Sequence, residues 1–247
     1  MSAELLALQI GSKFCPAEEI LDGGAQGLTE CSCFAYLVRT PRRLILIDTG
    51  YSSQELAFQA GFHDYLPVEK LLAEIAISPE QITDVVLTHG HEAHVGGIAR
   101  FLQARIYIAA RELRAMGELL RDPVNKKRLY RSEEIEILRA APRLQLVKNC
   151  LAIDEHLRVD VVGGHTRGFL LPTYMTEGVS RVMLASDNVP LYRHLQGEAF
   201  SLNWCEGNRD IRERLKMRMF TAFVLPGCDP EVMQRYPLAA PRICRIL

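Results

Sequence analysis

Short apolar runs rich in β-branched residues alternate along the chain with segments whose apolar positions recur three and four apart. That alternation predicts strands interleaved with helices. Cys33–Val38 and Arg43–Asp48 read as strands joined by the turn Arg39-Thr40-Pro41-Arg42. Ser53–Ala60 and Val68–Ile77 follow as helices, and Ser78-Pro79 marks a break. Asp84–Leu87 is a short buried strand, Gly96–Gln103 a helix and Ala104–Ala109 a further strand. Arg111–Leu120 and Ser132–Ala140 read as helices around the polar stretch Arg121–Arg131, either a solvated loop or a lid-like insertion. Strands are expected at Leu144–Val147, Leu157–Val162, Phe169–Met175 and Arg181–Ala185, with turn chemistry at Glu177-Gly178 between the last two. Asp210–Met219 reads as a helix and Ala222–Leu225 as the last strand. No linker divides the pattern, so we expect one domain over 1–247, with a helical or lid insertion near 111–142.

One internal correspondence stands out from this survey. Arg43–Asp48 and Arg181–Asp187 are both β-runs that end on an aspartate, and forty-one residues beyond each lies a metal-binding residue type, His89 and Cys228. If the match is not chance, it implies two related β-rich halves that present polar side chains at one shared edge. Two sheets packed face to face with helices outside satisfy that pattern.

Composition narrows the function classes. Of the 247 residues 48% are hydrophobic, and 29 basic side chains balance 30 acidic ones for a net charge of −1, so nothing suggests a nucleic-acid partner. Apolar stretches such as Leu44–Ile47 are far shorter than the roughly 20 residues of a bilayer span, so no membrane partner is expected. The N-terminal MSAELLALQIGSK carries Glu4 where a signal peptide would be basic. Seven cysteines, an odd count, fit a reducing cytoplasm better than a disulfide framework. Cys31 and Cys33 share a strand face and read as buried small residues, the alternative being half of a zinc knuckle.

Four of the seven histidines lie in two motifs, Thr88-His89-Gly90-His91-Glu92-Ala93-His94 and Gly163-Gly164-His165-Thr166. His63, His156 and His194 are isolated among polar neighbours and read as surface residues. An i, i+2 pair in extended backbone points His89 and His91 the same way, and His94 follows where the chain turns into a helix, with Gly96-Gly97 permitting close passage. Three imidazoles in six residues are satisfied together by a metal. Joined by His165, the pair would make a three-histidine site with an open position, the arrangement in which zinc lowers the pKa of bound water. Spacing alone neither brings His165 to the pair nor fixes the metal: iron, manganese or cobalt accept similar ligands, and the alternative is that the histidines are surface loop residues.

LILIDTG ending at Gly50, THGHEAHVGG at 88–97, GGHTRG around His165, LASDN around Asp187 and PGCDP around Cys228 occur in an order that resembles the metallo-β-lactamase superfamily, over roughly residues 30 to 235. The ASDNVPLY and PGCDPEVMQRYP segments are most similar to the N-acyl homoserine lactonase branch. The resemblance implies an α/β (α+β) fold, a four-layer αβ/βα sandwich of two mixed β-sheets flanked by helices, with metal at one edge. It also implies dimerisation, for which Phe220–Leu225 and Ala239–Leu247 offer apolar surface that serves equally as core.

The family motif His-x-His-x-Asp-His has Ala93 where its aspartate belongs, and the final family histidine is Cys228. Carried over by position, His89, His91 and His165 hold a first metal, Asp187 bridges, and His94 and Cys228 remain for a second. Asp48, behind the ligands with Thr88, orients a histidine or the metal loop, and Glu92 is a replacement for the lost carboxylate only if it turns inward. Lactonase relatives carry a tyrosine three residues after the bridging aspartate; here Pro190 stands there, and Tyr192 is the nearest candidate to donate to a carbonyl oxygen, the alternative being a buried structural tyrosine.

Three readings follow. In one, a single zinc activates water as a metal-bound hydroxide, with Asp187 as fourth ligand or general base, to open an ester, lactone or thioester of a small-molecule substrate. In another, Cys228, His94 and Asp187 hold a second, thiophilic ion. In the third, turnover is lost and the domain is a ligand sensor or scaffold.

Overall fold

The computed structural model describes residues 3–21, 25–121, 129–176, 181–197, 214–215 and 222–247. Its strands are β1 (Glu4–Pro16), β2 (Leu28–Arg39), β3 (Leu44–Ile47), β4 (Asp84–Val86), β5 (Arg105–Ala109), β6 (Leu144–Val147), β7 (Cys150–Ala152), β8 (Leu157–Val161), β9 (Leu170–Met175), β10 (Arg181–Ser186), β11 (Phe223–Pro226), β12 (Leu238–Ala240) and β13 (Ile243–Arg245). The α-helices are α1 (Gln54–Gln59), α2 (Val68–Glu74), α3 (Glu92–Val95), α4 (Ala110–Leu119), α5 (Ser132–Ala140), α6 (Tyr192–Leu195) and α7 (Glu231–Arg235).

The strands form two mixed sheets with flanking helices. The larger runs β12-β13-β1-β2-β3-β4-β5-β6, antiparallel up to β3 and parallel from β3 to β6. The smaller runs β11-β10-β9-β8-β7, with only β10 and β11 parallel. Alternation along single strands explains the layering. Leu5, Ala7, Tyr36, Val38, Ile45 and Ile47 face the smaller sheet, meeting Val159, Leu170, Tyr174 and Leu184. Leu6, Leu8, Ala35, Leu37 and Leu46 face the other way, against Leu71 and Leu72 of α2, Met116 of α4 and Leu138 of α5. Both faces of the large sheet are thus dry, which is why its strands read as continuous apolar runs.

Three features depart from the sequence reading. The thirteen-residue β1 carried no strand signal, because Gln9, Gly11, Ser12 and Lys13 break its sequence into neither a continuous apolar run nor a period-two pattern. The helix expected over Gly96–Gln103 starts earlier, as α3, and continues as a 3-10 turn over Gly96–Phe101. His194 is not a surface residue: it is fully buried, and its Nδ1 accepts the Leu191 N–H at 3.2 Å. His63 is exposed and His156 half-buried. Cys31 and Cys33 are buried, with the Cys31 Sγ 3.2 Å from that of Cys15. Of the C-terminal run, Ile243 and Cys244 lie in the core. Most of the 121–131 stretch, the Glu177-Gly178 turn and nearly all of the Asp210–Met219 segment fall outside the described residues. No helix of the described residues is long and apolar enough to cross a membrane.

The internal correspondence has a structural counterpart. β3 pairs in parallel with β4, which leads to His89, and β10 pairs in parallel with β11, which leads to Cys228. Both first strands end on a left-handed residue, Asp48 at φ 61° and Ser186 at φ 44°. Aspartate tolerates that region better than a β-branched residue such as the Ile47 before it. The reversal turns Asp48 and Asp187 toward the same edge of the sandwich.

Candidate metal centre

His89 and His91 leave the end of β4, His165 lies on the loop between β8 and β9, and Asp187 follows β10, so the two sheets each contribute to one cluster. Donor atoms of these four side chains all lie within 4.8 Å of one another. The Asp187 Oδ2 is 3.3 Å from His165 Nε2, 3.6 Å from His94 Nε2 and 3.7 Å from His89 Nε2.

Hydrogen bonds behind the cluster set which nitrogens face it. The Asp48 carboxylate accepts from the Thr88 backbone N–H at 2.8 Å and from the Thr88 hydroxyl at 2.8–3.0 Å. The hydroxyl proton being spent there, the Thr88 oxygen accepts from His89 Nδ1–H at 3.0 Å, which leaves the His89 Nε2 lone pair directed inward. Asp48 Oδ2 also accepts from His94 Nδ1 at 2.9 Å, so one carboxylate orients two imidazoles. Asn188 performs the same service on the other sheet: its Oδ1 accepts the His165 N–H at 2.7 Å and its Nδ2 donates to the Gly163 carbonyl at 3.0 Å. Gly97 lets α3 rest on the Asp48 loop, since a Cβ there would collide with the Thr49 carbonyl oxygen.

The protonation pattern suits a cation. Burial, reinforced by the neighbouring imidazoles, holds His89 and His91 well below the ordinary histidine value, so both are neutral. Phe169 stacks on the His89 ring at 5.3 Å and adds to that dry wall. For His94 burial acts in the same direction, but Asp187 and Asp48 on either side outweigh it and raise the pKa to about 10. Burial alone would raise Asp187; the adjacent His94 wins and lowers it. His91 Nδ1 sits 3.1 Å from both His89 Nε2 and His165 Nε2, so more lone pairs converge than the protons there can serve. A divalent cation is the group that fits this donor set.

Of the remaining candidates, Cys228 borders the cluster while Glu92 and Tyr192 turn to other partners. Cys228 Sγ is 3.6 Å from Asp187 Oδ1, on a loop strapped by Cys228 N–H to Pro190 O at 2.8 Å and by Ser32 N–H to Cys228 O at 2.8 Å. Burial and then Asp187 push its thiol pKa well up, so without a metal it is neutral. Glu92 does not replace the missing aspartate: its Oε1 accepts from the Ser52 hydroxyl at 2.6 Å and the Ser52 N–H at 3.1 Å. The helical turn that starts at Glu92 aims it away from the cluster. Tyr192 packs under Arg235, whose guanidinium lies 3.8 Å from the ring centre, and its backbone N–H donates to Asp229. Tyr130, unmarked in the sequence, contacts the His91 ring edge-on at 4.8 Å. It lines a groove of about 410 Å³ with Arg111, Leu119, Val162, His165 and Arg167. Asn188 had one signal, its place directly after Asp187; Tyr130 had none.

Comparison with known proteins agrees with this architecture. A family model described as the metallo-beta-lactamase superfamily matches residues 28–189. Probable metallo-hydrolases from Mycobacterium tuberculosis and Mycobacterium bovis are each 27% identical over 93 residues, a match that covers 33% of this chain and 30% of each relative. A solved quorum-quenching N-acyl homoserine lactone lactonase superposes with a TM-score of 0.75 at 16% identity, covering 97% of this chain and 98% of its own. The dizinc quorum-quenching lactonase AidC gives 0.74 at 18% identity, covering 99% of this chain and 94% of its own. The hydrolase AbOPH gives 0.74 at 22%, covering 93% and 88%. These likenesses show a shared fold. With the family model spanning more than half of the sequence, including β2, β3 and the whole donor cluster, the chain belongs to the metallo-beta-lactamase superfamily.

Proposed function

We propose that this chain is a metal-dependent hydrolase that opens an ester, lactone or thioester, with one zinc ion held by His89, His91, His165 and Asp187. The observation that carries the reading is the convergence of those four donors within 4.8 Å, with His89 fixed in the tautomer that presents a lone pair. Iron or manganese suits the same donors, and a second ion would use His94, Asp187 and Cys228. When bound, a divalent ion lowers the pKa of water and withdraws electron density from a carbonyl.

The residues of the chain do the rest. Asp48, through Thr88 and His94, keeps the imidazoles aligned. Asp187, held ionised by the adjacent His94, is the fourth of those donors; in the alternative in which it does not bind the ion, it takes the proton of the attacking water and returns it to the leaving oxygen or sulfur. The groove beside His165 admits a small molecule from the side of Arg111 and Tyr130. Lactonases among the structural neighbours support the substrate class. A fold alone does not select a substrate.

Metal analysis of protein purified without added metal tests the reading. One tightly bound equivalent that is lost in His89→Ala is expected; metal-free native protein would sink it. Bound metal with no turnover on a panel of lactones, esters and thioesters favours the ligand-sensing alternative, to which Ala93 and Cys228 point.

A further inference from the structure

Glu112 lies in the first turn of α4, fully buried, and belongs to none of the motifs that mark the donor cluster. Its Oε1 accepts the Gly90 N–H at 3.0 Å. Its Oε2 accepts the Thr166 hydroxyl at 2.8 Å and the Gly168 N–H at 2.8 Å. Gly90 is the residue between His89 and His91, and Thr166 directly follows His165. A single carboxylate therefore ties the loop that carries two imidazoles from the large sheet to the loop that carries the third from the small sheet.

The energetics argue that the bridge is the reason for the charge. Burying a carboxylate is costly unless its oxygens are hydrogen-bonded, and an apolar side chain of similar volume would fill the same space without that cost. Burial does push the Glu112 carboxyl pKa up, and the donors from Gly90, Thr166 and Gly168 pull it back. The docking is also close: a Cβ on Gly168 would collide with the Glu112 backbone, so the His165 loop rests directly on the start of α4.

We propose that Glu112 is a positioning residue whose carboxylate clasps the two ligand loops, fixing the separation of His89 and His91 from His165 and thereby the affinity and ligand geometry of the metal site. This rests on the metal-site reading above. Glutamine at 112 is the informative replacement: it keeps the size, but its carbonyl serves only one side of the clasp and its amide faces donors on the other.

The test combines two measurements on the full chain. In metal-free protein, Glu112→Gln should accelerate amide hydrogen exchange at Gly90, Gly168 or both, read residue by residue by NMR, with far-ultraviolet circular dichroism unchanged. In a cobalt(II) titration against a competing chelator, affinity should fall about 10- to 100-fold, the range for groups that orient metal ligands, and the visible ligand-field bands should shift. Unchanged affinity and bands in Glu112→Gln overturn the proposal while leaving the metal site intact. A native protein that binds no cobalt overturns the function proposed above instead; unaltered exchange at both glycines then overturns the clasp independently. If Glu112→Gln does not fold, Thr166→Val removes one of the three donors alone and should show a smaller shift in the same bands; identical bands would refute the clasp.

Discussion

The two halves of the histidine cluster differ in how completely they are built. On one side, His89, His91, His165 and Asp187 bring their donor atoms within 4.8 Å, two of the imidazoles neutral in a dry wall. On the other side, His94 is held as a cation between Asp48 and Asp187, Ala93 offers no ligand, and the Cys228 thiol is kept protonated by burial and by Asp187. The His94 ring lies between two carboxylates, its Nδ1 2.9 Å from Asp48 and its Nε2 3.6 Å from Asp187. In the metal-free chain, one protonated histidine thus balances the two carboxylates on either side of it.

The comparison can be broken most directly at the intact half. His165→Ala should remove the bound metal equivalent and lower hydrolysis by at least about 100-fold, beyond what loss of an orienting partner causes, whereas Cys228→Ser should leave the metal content at one equivalent. Metal analysis and steady-state kinetics on both variants decide it; equal losses would mean that the halves are not distinct. Asp48→Asn comes next, because an amide cannot accept from both Thr88 and His94 as a carboxylate does: metal affinity should fall about 10- to 100-fold by chelator competition. Ala93→Asp combined with Cys228→His supplies a carboxylate and an imidazole to the weaker half and should add a second bound equivalent, read by metal analysis. A stoichiometry still at one would show that His94 does not release its proton.

The smallest effect lies outside the cluster. Burial, and then the hydrogen-bonded Glu92 carboxyl, raise the Glu134 pKa to about 8 from 4.5. The folded chain thus holds this proton more tightly than the unfolded one. Its stabilisation is complete below about pH 4.5 and is lost as the pH rises to about 8. Glu134→Gln, which keeps the hydrogen bond without the charge, should raise the thermal midpoint by about 2–4 °C at pH 9 and leave it unchanged at pH 4. Thermal melts at the two pH values check this.

Legibility in the sequence followed local pattern. The hairpin of β2 and β3, the strands β4, β5 and β8–β11 and the helices α1, α2, α4 and α5 were readable because each shows an apolar period or a turn signal of its own. β1 was not, because Gln9, Gly11, Ser12 and Lys13 interrupt its apolar run, and β12 and β13 are three-residue strands with no turn signal that sets them apart. In the site, His89, His91 and His94 stand out by residue type and spacing, whereas His165 and Asp187 are placed with them by the family resemblance of their motifs. Glu92 looked like a possible ligand by adjacency, and only the turn of α3 shows that it serves Ser52 instead.

By itself, then, the sequence determined the donor set and its order: two histidine motifs, an aspartate after a β-run, and the Ala93 and Cys228 replacements are covalent facts of the chain. Tertiary structure decided which of those groups meet and in what state. The fold brings His165 from one sheet to His89 and His91 on the other, and places Asp48 between Thr88 and His94 so that tautomer and charge are set. It also hides Glu112 beneath both loops. Proximity between residues dozens of positions apart, and the desolvation that shifts their protonation, are properties of packing and have no local signature along the chain.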